Sequence, residues 1–151
     1  MLHEFLGQPA SPLEVGLLEL EDFIAEVGGG RIGLVDRRPD AINVPLMARD
    51  GERYLLRMTV TTYLEAPLQC TFVSGGDTRN AAAWPHPNPR GPFRSPNFIC
   101  TPPTAEFYAA HPERRYRSGE GSFVNTVATV FAALHAPEYS GRWRRRGRGP
   151  R

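Results

Sequence analysis

Lysine is missing from this chain: all 18 of its basic residues are arginine. Codon bias in a GC-rich gene is sufficient to explain that. The absence also has a chemical meaning, because lysine carries the side-chain amine that attacks acyl thioesters well. Cysteine is scarce too. Cys70 and Cys100 lie 30 positions apart without a pattern, which argues against a disulfide scaffold. Apolar runs are short: the best, FVNTVATVFAALHA, is interrupted by Asn125, Thr126 and Thr129, so nothing reads as a membrane span. The opening MLHEFLGQPA has a glutamate and no arginine, and so lacks the charged head of a secretory signal. Phosphate-cradling glycine loops and internal repeats are absent as well. The expectation is a cytoplasmic protein.

With 151 residues the chain is one domain's worth, long enough to bury a core. Its charge is unevenly placed. Residues 142–151, RWRRRGRGPR, hold six arginines and no acid; taking those six from the 18 leaves 12 against 16 Asp and Glu. This predicts a mildly acidic domain over 1–141 and a disordered Arg-rich tail over 142–151. Such a tail can hold nucleic acid by counterion release. A solubilising extension is the simpler reading, since no basic stripe continues into the domain.

The pattern of elements is α+β. Ser11-Pro12-Leu13-Glu14 reads as a helix cap, and Leu13, Leu17, Leu20, Ile24 and Val27 then recur at helical spacing up to Gly28-Gly29-Gly30. Short β-like runs follow at 31–35, 42–48, 54–62 and 68–73. Pro45 argues for an edge or irregular position in the second, and Arg49-Asp50-Gly51-Glu52 reads as a hairpin turn. Ser74-Gly75-Gly76-Asp77 closes the fourth. Residues 74–104 are rich in proline and glycine, with Trp84, Phe93 and Phe98 as aromatic anchors. Thr104 is placed to cap a short helix, 105–110, that stops near His111 because Pro112 follows. Phe123, Val127, Val130, Phe131 and Leu134 mark a last helix, closed by Pro137. A helix followed by a four-stranded antiparallel meander, a long loop and C-terminal helices is not an alternating βαβ layout.

Cys100 sits in this loop, in the stretch HPNPRGPFRSPNFICTPPT, where the prolines predict a thiol displayed on a stiff segment. As a nucleophile it needs access and local positive character, which Arg94 and the N-terminus of the helix after Thr104 are placed to supply. The alternative is a buried structural thiol. His111, eleven residues further on, is a candidate general base, with a capping or loop histidine as the plainer reading. Cys70 falls in a strand and reads as core. A cysteine protease built from Cys100, His111 or His135, and Asn125 lacks a local nucleophile signature. Cys70, His86, Cys100 and His111 match a zinc site in number but not in paired short spacing. No cofactor is expected.

Several of these segments resemble the ubiquitin-conjugating enzymes. Tyr63-Leu64-Glu65-Ala66-Pro67-Leu68-Gln69-Cys70-Thr71-Phe72 is similar to their Tyr-Pro-x-x-Pro-Pro-x-x-x-Phe segment, with Tyr63, Pro67 and Phe72 in register. His86-Pro87-Asn88 is the tripeptide that precedes the catalytic cysteine there, and Asn97-Phe98-Ile99-Cys100 looks like their Ile-Cys-Leu motif. The correspondence runs from about residue 11 to 139. Departures are longer spacings between Phe72, His86 and Cys100, Thr101 in place of leucine, and an insertion around 104–117. These point to a divergent bacterial member.

The resemblance implies that Cys100 carries a ubiquitin-like protein as a thioester, received from an activating enzyme and passed to an acceptor protein. It implies that Asn88 braces the loop or donates to the oxyanion, with Asn97 a rival for that role and a turn asparagine the plain reading of each. His86 is then a structural hydrogen-bonder. The alternatives are a non-catalytic binding module of the same fold, recruiting a ubiquitin-like protein or its enzymes, and a nucleic-acid-associated protein acting through the tail.

Overall fold

The computed structural model describes residues 11–74 and 80–144. The expected leader-free start, the turn at 75–77 and the basic segment beyond Arg144 lie outside the described residues. Helix α1 (Pro12–Val27) begins where Ser11 accepts from the Glu14 N–H at 3.2 Å, with Pro12 in the first turn. Four strands follow, β1 (Asp36–Arg37), β2 (Ala41–Met47), β3 (Arg53–Thr59) and β4 (Gln69–Val73), paired antiparallel in chain order. After a 3₁₀ turn at Ala81–Ala83 comes a separate small ribbon of β5 (Phe93–Arg94) and β6 (Phe98–Ile99). Helices α2 (Ala105–Ala110) and α3 (Phe123–Ala133) complete an α+β fold. No helix among the described residues is long and apolar enough to cross a membrane.

The register explains the core. Leu46 faces Tyr54, Val44 faces Leu56, and Ile42 faces Met58; Leu56 and Met58 in turn face Phe72 and Cys70 on β4. Successive side chains of a strand alternate between faces, so these residues share one face of the sheet. Leu17 and Leu20 from α1, with Phe123, Val127, Val130 and Leu134 from α3 and its end, join the same buried cluster. Helix α1 buries less than its spacing predicts: Leu13 is 37 % and Val27 58 % exposed, so the inward stripe narrows to Leu17 and Leu20.

Pro45 departs from expectation in an instructive way. It lies inside β2, flanked on both sides, and not at the sheet edge. Its carbonyl accepts from Gly33 at 2.8 Å on the β1 side. The N–H and C=O of one strand residue point the same way, so the missing donor also faces that side. Pairing there shrinks to two residues of β1 and an isolated Ile32–Leu46 bridge, so no strand forms over 31–35.

Arg142, expected to open the disordered tail, is part of the fold. Its Nε lies 2.6 Å from Glu52 Oε1, its guanidinium stands 4.4 Å over the Tyr54 ring, and it also donates to the carbonyls of Ala82 and Arg53. Trp143 follows, its N–H donating to Trp84 O at 2.8 Å.

Tyr63 joins the two long helices. Its hydroxyl accepts from the Phe123 N–H at 2.9 Å, its ring stacks on Phe123 at 4.4 Å, and Gly16 on α1 gives it room. A methyl at Gly16 meets the Tyr63 ring and hydroxyl at 2.3–2.5 Å. Alanine normally favours a helix over glycine by about 1 kcal/mol. Overpacking costs about 1–3 kcal/mol where the neighbour cannot give, and this ring is held on two sides. Gly16→Ala is therefore expected to lower unfolding stability, read from the denaturant midpoint; an equal or higher midpoint shows that Tyr63 yields.

Candidate active site

The outer edge of β4 carries unpaired backbone groups, and α2 covers it. Leu68 O accepts from the Ala105 N–H at 2.9 Å, and the Cys70 N–H donates to Glu106 Oε1 at 2.9 Å. Thr104, fully buried, caps α2 by accepting from the Phe107 N–H at 3.2 Å. The single proton of its hydroxyl is shared between Ile99 O at 2.9 Å and Thr101 O at 2.8 Å. One side chain thus ties the residues on either side of Cys100 to the helix that follows.

Helix α2 ends at His111, whose N–H donates to Phe107 O at 2.9 Å and whose ring packs on Phe107 at 4.5 Å. The loop from Cys100 to Thr104 folds back, so that Cys100 Sγ stands 3.4 Å from His111 Nε2. The other ring nitrogen, Nδ1, lies 3.4 Å from Glu113 Oε1. A carboxylate on Nδ1 favours the tautomer with its proton there and leaves the Nε2 lone pair facing the thiol. Thiol, imidazole and carboxylate thus follow one another in the order that a nucleophile, its base and an orienting carboxylate take in catalytic triads.

Two expectations about Cys100 change. The thiol is not displayed: the residue is 9 % exposed, because its N–H donates to Pro92 O at 2.6 Å and His111 closes over it. Nor does the N-terminus of α2 serve the sulfur, since its first donors are taken by Leu68 O, the Glu106 carboxylate and Thr104. The sulfur's polar partner comes from the other end of the helix. Arg94 is spent on the loop, donating to Gly91 O.

Asn88 braces the loop. Its amide donates to Glu138 O at 2.9 Å, and its carbonyl oxygen accepts from the Arg90 N–H at 2.9 Å. Asn97 occupies the turn between β5 and β6 with φ +63°, a conformation asparagine tolerates well. Neither is bonded to Cys100 or His111. His86 is exposed and engages Gly141 O through its backbone. His135 is used elsewhere, its Nε2–H donating to Met47 O at 2.9 Å. Cys70 is core, and burial holds its thiol well above the usual range. Among the described residues no group of three or more His, Cys, Asp or Glu is arranged to hold a metal ion.

Sequence reasoning missed Glu113, Thr104 as a brace of the cysteine, and Glu106. The available signal for Glu113 was its position two residues after His111, across Pro112, where the chain turns back. The other two depend on the sheet edge and have no local signal. No family model, curated protein or solved structure matches the chain.

Burial raises the Glu106 carboxyl above its ordinary 4.5, against the hydrogen bonds from the Cys70 and Glu106 N–H groups, which lower it. The folded state therefore keeps this proton at pH values where the unfolded chain has lost it, and stability falls as pH rises through the folded value. Glu106→Gln retains an acceptor for Cys70 and removes that titration. Its unfolding free energy relative to wild type is expected to rise between about pH 4 and 8; a difference that does not change with pH refutes the assignment. The two thiols supply a second test. Iodoacetamide is expected to reach Cys100, 9 % exposed, slowly in the native protein and Cys70, 3 % exposed, only after unfolding, read by mass spectrometry of digests; comparable native labelling of Cys70 contradicts its deeper burial.

Proposed function

We propose that this protein is a ubiquitin-conjugating-type acyltransferase that carries a ubiquitin-like protein as a thioester on Cys100 and passes it to an amine of an acceptor protein. The reading rests on one observation above the others: Cys100 Sγ lies 3.4 Å from His111 Nε2, on the segment that follows His86-Pro87-Asn88. The α+β order of elements agrees with the layout the resemblance implies.

Loading is a thioester exchange. Cys100 gives its proton to His111 Nε2 and its sulfur attacks the acyl carbon held by the activating enzyme. The carbon–sulfur bond to that enzyme breaks, and its thiol leaves with the proton. In discharge an acceptor amine attacks the same carbon, loses a proton to His111, and forms an amide as the bond to Cys100 breaks. The proton then returns to the sulfur. Neither step needs a cofactor on this chain, since ATP is consumed upstream by the activating enzyme. Glu113 holds the imidazole in place and stabilises its cation. Asn88 contributes by bracing the loop. The absence of lysine protects the loaded protein from modifying its own side chains.

The Glu113–His111 contact also favours a second reading, in which water replaces the amine and the chain acts as a thioester hydrolase. One experiment separates them. The full chain is incubated with ATP, a ubiquitin-like protein and the activating enzyme for that protein, then run on a non-reducing gel. The proposal expects an adduct that thiol reductant removes, that Cys100→Ala abolishes, and that disappears faster when an amine is added. His111→Ala is expected to slow discharge by about a hundredfold, the usual scale of a lost general base. An adduct whose decay ignores the amine favours the hydrolase. An activating enzyme that loads itself but never this chain overturns both and leaves a binding module of the same fold.

A further inference from the structure

An open cleft of about 840 Å³ is lined by Pro102 and Pro103, which follow Cys100 closely in the chain, and by Glu113, the partner of His111. Arg114, Arg115 and Arg117 line it too. The geometry points to a docking cleft for an acidic peptide segment of the acceptor protein, gripped by these arginines while its amine approaches Cys100.

Three observations carry this. First, the cleft is held in shape by hydrogen bonds. Tyr116 donates to Leu64 O at 2.7 Å and accepts from the Gly121 N–H at 3.1 Å, while Tyr108 donates to Glu120 Oε2 at 3.1 Å. The two rings meet edge to face at 5.5 Å. Second, the carboxylates of the cleft are engaged elsewhere, Glu113 with His111 and Glu120 with Tyr108. Third, none of the three guanidiniums has a carboxylate partner among the described residues. Arg114 lies 5.3 Å over the Phe107 ring, and Arg115 and Arg117 are exposed. Three unpaired guanidiniums within four positions, beside a rigid aromatic wall, match the planar carboxylates of Asp and Glu, which arginine binds in a fork. A polypeptide suits an open cleft of this size better than a small anion, and its flanking acids leave the amine free for the thioester.

The proposal depends on the acyl-carrier reading for its meaning but not for its test, which uses the unloaded full chain without ATP or activating enzyme. A fluorescein-labelled Asp/Glu-rich peptide with one central lysine is titrated by anisotropy, beside its Asn/Gln counterpart and a single-stranded RNA oligonucleotide. The acidic peptide is expected to bind at least about tenfold more tightly than the neutral one, the scale of a lost charged hydrogen bond. That preference is expected to vanish in Arg115→Glu/Arg117→Glu. It is expected to survive in Arg37→Glu/Arg38→Glu, which makes the same change of net charge at the end of β1. Equal binding of the acidic and neutral peptides overturns the proposal, as does equal loss in both double variants. RNA binding tighter than the acidic peptide and lost only in Arg115→Glu/Arg117→Glu also overturns it, in favour of a nucleic-acid cleft. A chain that binds the peptide but never forms the thioester refutes the carrier reading and leaves the cleft standing.

Discussion

The exposed edge of β4 is the constraint from which the candidate site follows. A four-stranded open sheet ends in a row of unpaired backbone groups, and burying them without partners costs about 1–3 kcal/mol each. Here a six-residue helix covers the edge, with the Ala105 N–H on Leu68 O and the Glu106 carboxylate on the Cys70 N–H. A helix this short does not hold its shape in water by itself. It exists because the sheet edge and the Thr104 cap fix it at one end and Phe107 packs beneath it. Thr104 in turn holds both neighbours of Cys100. The distance from thiol to imidazole is therefore set by the sheet, through one hydroxyl and one carboxylate.

The same arrangement separates the chain's two cysteines. Cys70 lies on the inner face of β4, where burial raises its thiol and leaves it protonated. Cys100 lies on the segment that wraps round the cap of α2 and meets His111 from the helix's far end. The two glutamates of this region divide in a parallel way. Glu106 is drawn into the edge and has a structural task, whereas Glu113 stays exposed and meets the histidine from the solvent side. Sharing a residue type does not give these pairs a shared chemistry; their partners decide it.

This explains which parts of the molecule were legible in the sequence. Helix caps were readable because capping is local: Ser11 and Thr104 each precede a helix and accept a backbone N–H from it. β3 was readable because its buried and half-buried residues alternate, while β2 and β4 were read from their β-rich composition and the turns that bound them. Pro45 misled because its missing donor matters only on the side it faces, which sequence does not reveal. Arg142 misled because composition placed it with the arginines that follow, while Glu52 and Tyr54, distant in sequence, claim it. Cys100 and His111 were readable as residue types with a plausible chemistry. Their contact, the withdrawal of the thiol from solvent and the part of Glu113 arise from the fold of 100–113, and no spacing rule contains that information.

The all-arginine composition then acquires a local argument. An acyl carrier that uses cations to hold an acidic acceptor must keep those cations from reacting with its own thioester. Under the carrier reading, a lysine at Arg114, Arg115 or Arg117 would add a competing amine to the cleft that holds the acceptor. Guanidinium supplies the positive charge and a fork of donors, and it stays protonated and therefore non-nucleophilic. Under the carrier reading, arginine is required around the cleft for this reason, whatever set the composition of the rest of the chain. Codon bias acts on every position alike, but the chemical constraint falls only where a side chain can reach the acyl carbon.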